Sequence, residues 1–226
     1  PDVGLNFADG LRSILRQDHN IIMVGEIRDK ETAQLAVQAA LTGHLVFSTL
    51  HTNSAAGILP RLLDMGIEPF LIASTVRTVI GQRLVRRISS VESEREAYKA
   101  SETEIEAIHA TLDSILPEKK EDLAKLAEEL GYKSLPERGQ NAYTLYKGKD
   151  SPETPGGYKG RMGLYEVFDI DEDIQSLILK HSTSAEIQKA AQAQGMISMR
   201  QDGYLKALAG YTTLDEVNRV AGAGGA

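Results

Sequence analysis

A chain of 226 residues is long enough to form one good-sized domain or two small ones. The absence of cysteine excludes disulfides and thiolate metal sites, and no run of about 18 apolar residues predicts a transmembrane helix. The formal net charge of −7 lies in residues 92–129, which hold 12 acidic and 5 basic residues. An acidic chain without a basic stripe argues against nucleic-acid binding, and we interpret the acidic block as a solvated helical face.

The first predicted elements are an amphipathic helix over 7–17 and a strand over 21–24. The helix places Arg12 and Arg16 one turn apart, so they are expected to share a face. The run Ile-Ile-Met-Val at 21–24 is too short for a lone helix and predicts a fully buried strand of a parallel sheet.

A carboxylate, Glu26, follows the end of this strand, where open α/β sheets place their ligand sites. Asp29 is expected to cap a helix over 30–41. A second buried strand over 45–47 then ends in hydroxyl residues and His51. The pattern therefore predicts that Glu26 and His51 lie at the same sheet edge. A solvated Glu26, with His44 and His51 in packing or capping roles, remains the alternative at this point.

The whole stretch LRSILRQDHNIIMVGEIRDKETAQLAVQAALTGHLVFSTLHTN resembles the secretion ATPase superfamily. Within that superfamily it is most similar to the assembly ATPases of type IV pili and type II secretion. In this family IIMVGEIRD is the Walker B segment and GHLVFSTLHTN is the histidine box. The resemblance is dense from about Gly4 to Arg87 and returns from Gly157 to Val220.

The resemblance implies an α/β fold with a RecA-like, mostly parallel sheet core, a helical insertion lobe and a helical C-terminal region. Residues 1–88 would be the ATPase core, 89–147 an acidic helical lobe, and 148–226 the return to the core with the C-terminal helices. Family members usually carry a cysteine-rich zinc lobe here, but Ser89 stands near the first expected cysteine. Without thiolates no zinc is expected, and helix packing is predicted to replace the metal.

Capping patterns predict helices in the later part of the chain. Ser101 and Glu104 form a capping box before one lobe helix, and Gly131 ends the next. Two further pairs with capping-box spacing begin C-terminal helices; they are Thr183 with Glu186 and Thr213 with Glu216.

The resemblance also implies a site and its ligands, which are ATP and Mg²⁺. Glu26 would polarise the attacking water or support Mg²⁺ through water, since a carboxylate can do either. The remaining candidates would sense or meet the phosphates; they are His44, His51, Arg12, Arg16 and Arg28. No side chain is expected to bind a metal directly.

The sequence contains no G-x-x-x-x-G-K-[ST] phosphate loop, which we expect to lie before Pro1. This chain alone is therefore predicted to be a poor ATPase. The family implies a hexamer that drives an inner-membrane platform protein from the cytoplasmic face, without inserting into the membrane. The alternatives are a non-catalytic interaction or oligomerisation module of such a system, and a metal hydrolase that uses His44, His51 and Glu26.

Overall fold

A computed structural model describes residues 7–18 and 20–222 of the chain. Within these residues, the helices are α1 Phe7–Ile14, α2 Lys30–Leu41, α3 Ile58–Asp64, α4 Pro69–Thr75, α5 Glu102–Leu112, α6 Lys120–Leu130, α7 Glu172–Leu179, α8 Ser184–Gln194, α9 Met199–Leu208 and α10 Leu214–Ala221. The strands are β1 Ile21–Val24, β2 Leu45–Ser48, β3 Thr78–Arg86, β4 Arg95–Lys99, β5 Thr144–Gly148 and β6 Arg161–Asp169. No helix in this part of the chain is long and apolar enough to cross a membrane.

Strands β1 and β2 pair in parallel, as predicted, with Ile21 opposite Leu45 and Val24 opposite Ser48. Helix α2 connects them and has the predicted bounds. The Asp29 side chain accepts a hydrogen bond from the Thr32 N–H at 2.8 Å, which caps the helix and holds the pKa of the Asp29 carboxyl below its ordinary value. The strand–helix–strand unit is thus the βαβ crossover that parallel pairing requires.

The prediction that these strands are fully buried is wrong. Ile22 and Val24 lie in the core, but Met23, which alternates with them, is 83% exposed. The second strand likewise leaves Phe47 exposed. Successive side chains of a strand point to opposite faces, and here only one face of the two-stranded sheet packs into the core with Ala36 and other residues of α2.

The described residues form two compact units, one within 7–81 and 167–196 and the other within 82–166 and 197–222. Strands β3 and β6 pair with each other. Each unit has its own apolar core, one centred on β1, α2, α3, α4, α7 and α8, and the other on α5, β5, α9 and α10. The division into 1–88, 89–147 and 148–226 is a division by family segments and stays a prediction.

The acidic segment contains the two predicted helices, α5 and α6. Ser101 and Glu104 form the predicted capping box, and Gly131 ends α6 in the left-handed conformation. Strand β4 was not predicted; it pairs antiparallel with β5, and the two strands lie beside an apolar core that includes Ile108 and Leu112. Ser89, at the expected first cysteine position, is buried, and its hydroxyl bonds to Glu94.

Helices α8 and α10 begin at the predicted caps, with one difference. Thr183 and Glu186 form a complete capping box at α8. At α10, Thr213 accepts a hydrogen bond from the Glu216 N–H, but the Glu216 side chain binds two arginines instead of returning to the cap. The sequence spacing of a capping box is present there, while the reciprocal side-chain bond goes elsewhere.

Candidate functional site

Glu26 lies at the carboxyl edge of the parallel pair, two residues after the end of β1, and His51 follows β2 by three residues. Parallel strands end at the same edge, so the two loops meet. His51 Nε2 lies 2.9 Å from Glu26 Oε1, and Arg28 Nε donates to Glu26 Oε2 at 2.6 Å. Each carboxylate oxygen of Glu26 therefore faces one basic side chain.

The exposure of these three side chains decides what the cluster can do. The Glu26 side chain is 23% exposed, while those of Arg28 and His51 are 79% and 89% exposed. Exposed ion pairs contribute little free energy, because water replaces either partner at small cost. The Glu26 carboxylate is thus mostly buried, while its exposed partners can exchange for water or for a ligand.

The arginines of the first helix do not share a face as predicted. Helix α1 ends at Ile14, so Arg16 lies in the following turn. Arg12 binds Asp9 at 3.0 Å and also Glu31 in the first turn of α2. The hydrogen bond and charge of Glu31 raise the pKa of the Arg12 guanidinium, with Asp9 contributing less. Sequence reasoning missed Glu31, because a carboxylate in a first helical turn is common for reasons of helix stability alone.

His44 lies at the opposite end of β2 from His51. It directly precedes the strand, and its Nδ1 is 3.0 Å from the Ala39 carbonyl and 3.3 Å from the Thr42 hydroxyl. A strand rises about 3.3 Å per residue, so β2 keeps the two histidines well apart. The structure does not bring His44 to Glu26, which contradicts the metal hydrolase alternative. A phosphate-sensing role for His44 stays a prediction.

Comparison with known proteins gives the family context of this site. Residues 1–219 match the family model described as type II/IV secretion system protein. The chain is 42% identical over 220 residues to type II secretion system protein E of Xanthomonas campestris, covering 97% of this chain and 34% of that protein. It is 40% identical over 220 residues to the type IV pilus assembly ATPase PilB of Pseudomonas aeruginosa, again covering 97% of this chain and 34% of the relative. The chain therefore spans about a third of the length of these relatives.

Solved structures share the fold at lower identity. A crystal structure of the pilus retraction motor PilT with bound ADP matches 96% of this chain and 43% of its own, with a TM-score of 0.58 and 24% identity. The Legionella pneumophila ATPase DotB matches 95% of this chain and 42% of its own, with a TM-score of 0.55 and 24% identity.

Proposed function

Because this chain belongs to the type II/IV secretion system protein family, we propose that it is the Walker B-bearing part of a motor that couples ATP hydrolysis to pilus assembly or protein secretion. The observation that carries the proposal is the position of Glu26, at the carboxyl edge of two parallel strands and within contact of Arg28 and His51. That edge is where open α/β sheets bind their ligands.

In this proposal Glu26 orients and polarises the water that attacks the γ-phosphate. Phosphoryl transfer needs positioning and charge neutralisation more than covalent chemistry, and a fixed carboxylate supplies the first. Arg28 and His51 contact the Glu26 carboxylate, and their side chains are exposed. They can therefore exchange this contact for one to a phosphate oxygen. A guanidinium matches phosphate geometry through two parallel hydrogen bonds. We also assign Arg12, Arg16 and His44 to phosphate sensing.

In this proposal the residues of this chain would contact Mg²⁺ only through water. Mg²⁺ takes oxygen ligands and keeps several waters, and Glu26 places a carboxylate at this edge. When bound with ATP, the ion would neutralise charge on the phosphate oxygens. The G-x-x-x-x-G-K-[ST] motif of a phosphate loop does not occur in residues 1–226.

The RecA-like core, the hexamer and the cytoplasmic position at the inner membrane, beside a platform protein, are further parts of the proposal. The parallel β1–β2 pair supports the core. Relatives at 40–43% identity include pilus assembly ATPases, which favours extension of a pilus over its retraction. A non-catalytic interaction or oligomerisation module of such a system is the second candidate.

Glu26→Gln tests the proposal in a protein that joins this chain to a phosphate-loop segment. Gln has nearly the same volume as Glu and can still hydrogen-bond, but it has no charge to polarise water. We expect ATP hydrolysis to fall about 10²- to 10⁴-fold, with nucleotide affinity and assembly retained. Steady-state hydrolysis and equilibrium nucleotide binding are the measurements. Unchanged hydrolysis would remove the Walker B assignment and leave the interaction module.

A further inference from the structure

Thr49 makes backbone contacts on both sides of Glu26. Its Oγ1 donates to the Gly25 carbonyl at 2.6 Å, and its own carbonyl accepts from the Ile27 N–H at 2.9 Å. Gly25 and Ile27 are the two chain neighbours of Glu26. Resting on the function proposed above, we propose that Thr49 is a positioning residue that aims the Glu26 carboxylate.

The two bonds fix the two peptide planes that meet at the Glu26 Cα. The Gly25 carbonyl belongs to the plane before Glu26, and the Ile27 N–H belongs to the plane after it. The orientation of these planes is set by φ and ψ of Glu26, the only soft backbone dihedrals of that residue. Anchoring both planes to one residue of the neighbouring loop therefore fixes the direction in which the Glu26 side chain leaves the backbone.

The Thr49 hydroxyl is important because it restrains Gly25, a residue with a flexible backbone. Gly25 has no Cβ, and a Cβ built there would meet nothing within 4 Å, so neighbouring atoms do not confine it sterically. Glycine has the widest choice of backbone conformations. The regular pairing of the strands also ends at Val24 and Ser48, one step before these residues. The Thr49 hydroxyl thus restrains the peptide at the point where the ladder stops and the backbone is freest.

Thr49 acts through the backbone rather than on the carboxylate. The contacts to the Glu26 oxygens come from Arg28 and His51, while those of Thr49 go to the flanking peptides. Thr49 is itself exposed, so replacing it opens no core cavity. Val keeps its shape and removes the hydroxyl, and Ser keeps the hydroxyl. Loss of the hydroxyl should therefore affect turnover more than nucleotide binding.

The kinetic test compares Thr49→Val and Thr49→Ser in the protein that joins this chain to a phosphate-loop segment. Thr75→Val is the matched control, since Thr75 Oγ1 also donates to a backbone carbonyl, that of Leu71 at 2.7 Å within α4. We expect Thr49→Val to lower kcat about 10- to 100-fold with KM nearly unchanged, because small misplacements of a reacting group cost that much. Thr49→Ser should keep most of the rate, and Thr75→Val should match the parent.

A double variant separates positioning from general damage. If Thr49 acts through Glu26, Thr49→Val should cause no further loss when added to Glu26→Gln. The proposal is overturned if Thr49→Val lowers kcat by the same factor in the Glu26→Gln protein as in the parent. It is also overturned if Thr49→Ser and Thr49→Val lower kcat equally. If Glu26→Gln alone leaves hydrolysis unchanged, the proposed function fails first and the role of Thr49 falls with it.

A measurement on this chain without nucleotide tests the backbone contact directly. Hydrogen exchange of the Ile27 amide should be faster in Thr49→Val and near the parent rate in Thr49→Ser, because the loop pairing loosens without the hydroxyl. An unchanged exchange rate in Thr49→Val overturns the proposal whatever the kinetics show. Because hydrogen exchange does not depend on ATP hydrolysis, it tests the Thr49 contact separately from the proposed ATPase function.

Discussion

Two carboxylates of this protein are each bound by two basic side chains, but in very different surroundings. Glu26 sits in a loop at a sheet edge, where its partners Arg28 and His51 are mostly exposed. Glu216 sits in the first turn of α10 and is 1% exposed. It accepts five N–H bonds, from the backbone and side chain of Arg86 and the side chain of Arg219.

The difference shows how burial separates a structural carboxylate from one that is free to react. A buried carboxylate cannot lose its donors without leaving a charge unpaired, so the Glu216 cluster stays intact as long as that part of the fold does. Arg219 and Arg86 hold the pKa of the Glu216 carboxyl well below its ordinary value. Glu26 can exchange partners at little cost, and the function proposed here requires that exchange.

Glu216→Gln should have the largest effect on stability. An amide places its own NH₂ donors against the donors of Arg86 and Arg219, and it removes the charge that they bind. We expect the free energy of unfolding to fall by about 3 kcal/mol. Glu26→Gln is the matched control and should change it by less than about 0.5 kcal/mol. Urea denaturation followed by far-UV circular dichroism suits a chain with no tryptophan. Equal losses of unfolding free energy in Glu216→Gln and Glu26→Gln would contradict the distinction between a buried and an exposed carboxylate cluster.

The pH dependence of stability sharpens the same comparison. Because its folded pKa lies below the ordinary value of 4.5, Glu216 stabilises the fold fully above that pH. This stabilisation is lost as the pH falls through the folded pKa. The stability difference between the parent and Glu216→Gln should therefore be largest near pH 7 and shrink below about pH 4.5.

Unfolding measured from pH 7 to pH 3 for both proteins checks this expectation. The carboxyl pKa values of Asp29, Asp171 and Glu186 are also lowered, but these residues are present in both proteins and cancel in the difference. A difference that stays constant over this range would contradict the assignment to Glu216.

Thr213→Ala should have a smaller effect on stability than Glu216→Gln. Thr213 caps α10 by accepting from the Glu216 N–H at 3.2 Å, and its hydroxyl also lies 2.9 Å from that of Tyr158. Losing a threonine cap costs about 1 kcal/mol, and Thr213→Ser should recover most of it. The measurement is the same urea denaturation. A loss as large as that of Glu216→Gln would mean that the helix terminus, rather than the ion cluster, holds this region together.

Features encoded within a few residues were predictable from the sequence. The capping boxes at Ser101 and Thr183 and the bounds of α2 were confirmed, since their patterns span four to twelve residues. The meeting of Glu26 and His51 was also predictable, because the geometry of parallel strands brings their ends together.

Features that depend on distant partners were not predictable. Strand β4 reads Arg-Glu-Ala-Tyr-Lys, which has no apolar run, and it forms by pairing with β5 some way along the chain. The Arg86–Glu216 contact joins residues 130 positions apart, without a local pattern. The open face of β1 was missed because an apolar run indicates a strand but does not reveal how many of its faces are covered.

The open face of β1 has a consequence for the chemistry of its thioether. Met23 points away from the core and is 83% exposed, so peroxide can reach its sulfur without unfolding the sheet. Oxidation to the sulfoxide would add a polar, chiral group to an apolar surface while leaving Ile22 and Val24 packed beneath it. The rate at which Met23 is oxidised is therefore a measure of how far this face of the sheet is exposed to solvent.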